Sequence, residues 1–152
     1  AGGARRQDSV KAGLAATPPD ASIVLVQDAA RPLLTPRLVR DVVRAARAQG
    51  AALAASRVVD TIKEAVSGRV TRTLDRSSLW RAETPQGFRR AWLEAGLALA
   101  ERDGIDVTDD AMLVERMGRE VRIVESPGPN LKVTTPGDLP VVRALLARRE
   151  TA

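Results

Sequence analysis

The chain has 152 residues, room for one domain of ordinary size, and its 44% apolar and 28% charged residues form a globular composition with no apolar run near the ~20 residues of a membrane span. It contains neither Cys nor His, which excludes disulfides, Cys nucleophiles, His bases, Ser–His hydrolysis and the usual zinc sites. A net charge of +5 invites a nucleic-acid reading, but 21 Arg and 3 Lys are interleaved with 19 acids, and Trp80, Phe88 and Trp92 are too few for a base-stacking surface, so the charge reads as a diffuse solvated surface.

Gly2-Gly3 leads into a predicted helix from Asp8 to Ala16. The turn Thr17-Pro18-Pro19-Asp20 follows, and Ser22–Val26 is a short β-branched run that predicts a strand buried on both faces in a parallel sheet. Thr35 before Pro36 is a helix start, Leu38, Val39, Val42, Val43 and Ala46 recur at helical spacing, and Gly50 is the stop. Ala51–Ser56 is a second strand, so the three elements make a βαβ unit. From Arg57 to Arg76 two polar, β-rich segments flank Val66-Ser67-Gly68-Arg69 as a hairpin. That ribbon has too few apolar residues to bury itself and should lean on another surface, such as a second subunit. Phe88, Ala91, Trp92, Ala95 and Leu99 predict an amphipathic helix, and Thr108 caps a short one ending at Gly118. Val121–Val124 and Leu131–Val133 read as strands. Thr135-Pro136-Gly137-Asp138 has the form of a capping box before a last helix with Leu139, Val142 and Leu146 on one face. The alternation predicts an α/β layered domain.

In such sheets ligands sit beyond the carboxyl ends of the strands. Asp28-Ala29-Ala30-Arg31-Pro32 lies at one such end: the Asp can meet a metal or a hydroxyl and the Arg a phosphate, or the segment is a turn closed by the Asp side chain. Lys132, one of three lysines, can neutralise phosphate charge or discourage pairing of an edge strand. Gly2-Gly3 before a helix offers backbone N–H groups to an anion, or is a plain loop with Asp8 or Ser9 as cap. Thr108-Asp109-Asp110 is first of all an N-cap with acids favourable to the helix dipole.

Taken in order, Gly2-Gly3 with Arg6-Gln7-Asp8-Ser9-Val10, Val26 to Pro32, Val59–Lys63, Leu74–Trp80, Thr84-Pro85-Gln86-Gly87-Phe88, Thr108-Asp109-Asp110 and Asn130–Thr134 resemble the 2-C-methyl-D-erythritol 4-phosphate cytidylyltransferase family across essentially the whole chain. Gln27 stands where the family often has His, Ala4 where an acidic residue often helps to hold the nucleotide, and Gly137 where Glu is common. The family's first strand, and its Gly-rich loop with the Arg and Lys that bind the CTP triphosphate, have no counterpart in these residues, which look like the C-terminal two-thirds of the enzyme.

The resemblance implies a Rossmann-like three-layer nucleotidyltransferase domain over 1–152, incomplete at its N-terminus, with a protruding β-arm at 57–76 that forms a homodimer. It implies transfer of CMP from CTP to 2-C-methyl-D-erythritol 4-phosphate with release of pyrophosphate, aided by Mg²⁺, in a cytoplasmic bacterial enzyme of non-mevalonate isoprenoid synthesis that binds neither nucleic acid nor membrane. The metal ligands are left open. Lys132 should touch the reacting phosphates and Arg76, from the partner's arm, the substrate phosphate; an exposed hairpin arginine is the plainer reading of Arg76. Asp28 should hold substrate hydroxyls, Arg31, Thr84 and Thr108 should line the substrate pocket, and Thr61 should reach in from the partner. Gly3, Arg6, Ser9 and Ala29 should lie along the nucleotide. These 152 residues alone are expected to be poorly soluble or loosely packed, and inactive. A ribitol 5-phosphate or related polyol-phosphate cytidylyltransferase would share Asp28, Arg31 and Lys132, and a basic nucleic-acid-binding module is the rival of another class. A cyclase domain following in a longer polypeptide is also compatible with the residues.

Overall fold

A computed structural model describes residues 2–150. The elements in chain order are α1 (Arg6–Ala15), β1 (Ile23–Val26), α2 (Pro36–Gln49), β2 (Ala51–Arg57), β3 (Lys63–Val66), β4 (Arg69–Thr73), β5 (Trp80–Arg89), α3 (Arg90–Arg102), α4 (Ala111–Glu115), β6 (Arg122–Glu125) and α5 (Asp138–Glu150).

The expected βαβ unit is present, with one insertion. The main sheet has the order β1-β5-β2-β6, and β5 runs antiparallel to both β1 and β2. β1 and β2 are therefore parallel to each other but not adjacent, while β2 pairs in parallel with β6. Helix α2 begins and ends as its residues predict: Thr35 Oγ1 accepts from the Leu38 N–H at 3.2 Å, Pro36 occupies the first turn, and Gly50 closes the end at φ 95°. Only glycine takes that conformation without strain, and a Cβ there would also lie 2.3 Å from the Trp92 ring.

Alternation along β2 divides the core. Ala52 and Ala54 face α2, packing with Leu38, Val42 and Ala46. Ala51 faces the other way, into a cluster of Leu14, Phe88, Leu93, Leu97 and Leu113 from α1, β5, α3 and α4, and Leu53 and Ala55 pack with Ala111 on α4. Helices thus cover both faces, the expected three-layer arrangement. Four of the five buried β2 residues are alanines, which lets the helical layers approach closely. Gly87 does the same on β5, where a Cβ would lie 3.0 Å from both Leu25 and Val42.

Several predicted elements differ. The ten-residue strand β5 has no counterpart among the predicted elements, because its inner half, Glu83-Thr84-Pro85-Gln86-Gly87, combines Pro, Gly and polar residues that disfavour strands. Phe88 belongs to β5, not to the following helix, and α3 buries Leu93, Gly96, Leu97 and Ala100 while Ala91 and Ala95 are exposed. β1 is an edge strand among the described residues, with Leu25 exposed, so it is not covered on both faces. Leu131–Val133 is not a strand; it crosses the first loop, with the Val133 N–H donating to the Ala30 carbonyl at 2.7 Å. Thr108 lies before α4 without capping it; Asp109 accepts from the Met112 N–H at 3.1 Å instead. Helix α1 starts two residues early, so Asp8 sits inside it and reaches back to the Arg5 N–H at 3.1 Å.

The ribbon is a separate two-stranded sheet of β3 and β4, turned by Ser67 and Gly68, both at positive φ. Every residue of both strands is exposed, including Val66 and Val70. No helix of the described residues is long and apolar enough to cross a membrane.

Replacing Thr35 by Ala should lower stability by about 1 kcal/mol through loss of the cap. Gly50→Ala should cost about 1–3 kcal/mol, combining backbone strain with overpacking against Trp92. Urea midpoints at unchanged m-value check both.

Asp138 at the start of α5 accepts from the Thr134 and Thr135 N–H groups at 2.9 and 2.8 Å, which pull its carboxyl down to about 2 from 3.8. A carboxyl depressed in the folded state stabilises it above the unfolded value and loses that contribution as pH falls. The stability difference between wild type and Asp138→Asn should therefore be full above about pH 5 and fall away through about pH 2 to vanish near pH 1, as acid titrations of the two proteins would show.

Candidate active site

The site lies where β1, β2 and β6 present their carboxyl ends, beside the irregular half of β5. Register explains the irregularity: Leu53 faces Gln86 and Ala55 faces Ala82, so two β2 steps span four on β5. The extra residues form a bulge at Glu83–Pro85, where a proline without an N–H is tolerated and side chains are re-aimed. The Thr84–Pro85 peptide is cis.

Asp28 is the centre of charge. Its Oδ2 is 3.1 Å from Lys132 Nζ and 3.7 Å from Arg31 Nε, and its Oδ1 is 3.7 Å from an Arg6 terminal nitrogen. The Asp28 N–H donates to Thr84 Oγ1 at 3.0 Å. The turn is closed by the backbone, Arg31 N–H to Asp28 carbonyl at 3.0 Å, which leaves the Asp28 carboxylate for the cations. Lys132 is therefore not an edge-strand lysine but one member of a three-cation ring. Arg31 is anchored from the other side by the Asn130 carbonyl at 2.7 Å.

Arg6 bridges Asp28 to Asp110, whose Oδ2 accepts at 2.6 Å. Asp110 is fully buried, and burial pushes its carboxyl up despite the Arg6 bond; the same bond raises Arg6. Gln86, missed from sequence, organises this end: its Oε1 accepts from the Asp110 and Ala111 N–H groups, and its amide donates to Asp109 at 3.0 Å. A buried glutamine in a Thr-Pro-Gln strand carried no periodic signal that could have singled it out. Gln7 pins the loop before Thr108, bonding the Ile105 carbonyl and the Val107 N–H.

A cleft of about 440 Å³ opens between α1 and β1, polar at Arg6, Ser9 and Asp28, apolar at Val10, Leu14 and Val24, and bordered also by Ala29. The predicted nucleotide residues thus converge on one opening, except that Gly3 meets it indirectly, through its N–H to Ser9 Oγ at 2.8 Å. Thr108 is exposed on the loop behind Asp109. Thr61 and Arg76 sit on the arm: Thr61 is exposed, and Arg76 donates to the Val59 carbonyl at the arm's base. Among the described residues no three Asp, Glu, His or Cys side chains gather as a metal cage. Asp28 alone at the cleft suits an ion held chiefly by substrate phosphates, as Mg²⁺ commonly is.

The family model described as 2-C-methyl-D-erythritol 4-phosphate cytidylyltransferase matches residues 1–148. The enzyme of that name from Synechococcus sp. (strain WH7803) is 48% identical over 149 residues, covering 97% of this chain and 67% of the relative. That from Pelotomaculum thermopropionicum is 48% identical over 150 residues, covering 98% and 63%. The crystal structure of the Thermus thermophilus enzyme superposes with a TM-score of 0.88 at 38% identity, over 96% of this chain and 71% of that one. The chain spans about two thirds of the length of these curated relatives. Matched by the family model along nearly all its length and sharing the fold of these enzymes, the chain belongs to the 2-C-methyl-D-erythritol 4-phosphate cytidylyltransferase family.

Proposed function

We propose that these residues belong to a cytidylyltransferase that moves CMP from CTP to 2-C-methyl-D-erythritol 4-phosphate, in the cytoplasm of a bacterium. The observation that carries the reading is the ring of Arg6, Arg31 and Lys132 around Asp28 at the strand ends. The acceptor's phosphate oxygen attacks the α-phosphorus of CTP, the bond from that phosphorus to the bridging oxygen breaks, and pyrophosphate leaves with the electron pair. The nucleophile is already anionic at neutral pH, so a chain without histidine loses nothing. What the protein supplies is alignment and cancellation of crowded negative charge.

Lys132, half-exposed beside Asp28, meets the reacting phosphates, and Arg31, held by Asn130, lines the acceptor's pocket and meets its phosphate together with the partner's Arg76. Asp28 and Thr84 receive the polyol hydroxyls, Thr108 lines the same pocket, and Arg6, Ser9 and Ala29 border the nucleotide. Asp28 is the residue that would neighbour a Mg²⁺ ion carried by the triphosphate, and such an ion would supply Lewis-acid neutralisation of its charge. The exposed Val59, Val66 and Val70 support a dimer in which the arm brings Arg76 and Thr61 to the partner's site.

In active enzyme carrying these residues, Lys132→Ala should cut turnover by about 10² or more while the unfolding midpoint changes little. Turnover near wild type would remove Lys132 from the chemistry. A panel of polyol phosphates should favour methylerythritol phosphate; preference for ribitol 5-phosphate would reassign the acceptor.

Mixing Arg76→Ala and Lys132→Ala subunits should give more activity than either alone, because one site of the mixed dimer keeps both residues. Absence of recovery after verified subunit exchange would mean that Arg76 serves its own subunit or no site at all.

A further inference from the structure

Glu83 is the one carboxylate in the β5 bulge, and the mechanism above makes no use of it. It is buried, with 6% of its surface exposed. Three chain segments converge on it: Ser56 at the end of β2 donates to Oε1 at 2.7 Å, and Ser126, just past β6, donates to Oε2 at 2.7 Å. The Asn130 amide donates to the same Oε2 at 3.1 Å. A buried carboxylate is costly unless its lone pairs are filled, so these three neutral donors are held to it strongly. Positive charge reaches it at one remove. Arg81 donates to Ser56 Oγ through two nitrogens, at 3.2 and 3.0 Å, which leaves the serine's own proton for Glu83.

The consequence lies at Asn130. Its Nδ2 also donates to the Thr84 carbonyl at 2.7 Å, so both amide hydrogens are committed and the residue is locked against the bulge. The Asn130 backbone carbonyl is the acceptor that holds Arg31 at 2.7 Å, and Lys132 follows two residues later. We infer that Glu83 is a positioning residue: its carboxylate fixes the Asn130–Lys132 segment and, through it, sets Arg31 and Lys132 for the acceptor's phosphate. This rests on the reading of Arg31 given above. A merely structural carboxylate would change stability without favouring one substrate over the other.

The test compares Michaelis constants in active enzyme. Arg31→Ala provides the reference and should raise KM for methylerythritol phosphate with little change for CTP. Glu83→Ala should raise the same constant by about tenfold, lower kcat, and leave KM for CTP within about twofold. Glu83→Gln should recover part of the loss, since its amide oxygen can still accept from Ser126 and Asn130, whereas its amide nitrogen faces a Ser56 oxygen already filled by Arg81. If Glu83→Ala does not fold, Ser126→Ala should shift the acceptor's KM in the same direction by a smaller factor. An effect in Arg31→Ala with none in the Glu83 or Ser126 variants, or equal shifts in both Michaelis constants, would overturn the inference. No effect in Arg31→Ala would instead remove the phosphate reading of the site, and this inference with it.

Discussion

Strand β5 runs against the direction of its neighbours, and its hydrogen bonds are what join β1 to β2 in a single sheet. The regular half of the strand, from Gln86 to Arg89, pairs on both sides and carries Phe88 into the core. The other half cannot keep register, because Glu83, Thr84 and Pro85 are bulged out of the ladder against β2. Burial nevertheless continues without interruption from Glu83 to Phe88. Polar side chains held inside must find partners, and the partners available are the ends of the parallel strands and the loops that leave them. The bulge therefore gathers Asp28, Ser56, Ser126 and Asn130 into one connected region.

Electrostatics at that region is a compromise between stability and use. Three cations within 4 Å of one carboxylate repel one another, and Asp28 offsets only part of that repulsion. Arg6 is held by a second acid, the buried Asp110, whose carboxyl is pushed up by the burial that also keeps it in place. An excess of positive charge around a half-open cleft suits a ligand with several negative oxygens better than it suits an empty site. Arg6 approaches Asp28 from α1 and Lys132 from the segment after Asn130, while Arg31 stands three residues from Asp28 on the same loop.

The arm obeys a different constraint. β3 and β4 pair only with each other, and their apolar residues Val66 and Val70 remain exposed. Local chemistry is enough to form the turn, because Ser67 and Gly68 adopt the positive φ angles that a tight hairpin requires. Cross-strand polar contacts, such as Arg72 to Glu64 at 2.8 Å, keep it in register without a core.

Much of this was legible in the residues. Thr35-Pro36 and Gly50 bound α2 because capping and left-handed conformations are decided within a few residues. Val66–Arg69 announced its turn for the same reason, and the order of the short motifs carried the family. Other features depended on distant partners. Glu83-Thr84-Pro85-Gln86 has poor strand propensity and becomes a strand because β1 and β2 lie on either side of it. Lys132, expected on an edge strand, sits on an irregular segment because the Val133 N–H finds its acceptor in the Ala30 loop. Gln86 and Glu83 gain their roles only from what the fold brings to them. Helix ends and tight turns could be read along the chain, since their energetics involve near neighbours in it. Which polar groups share the interior could not, because a buried group's partners are chosen by proximity in space.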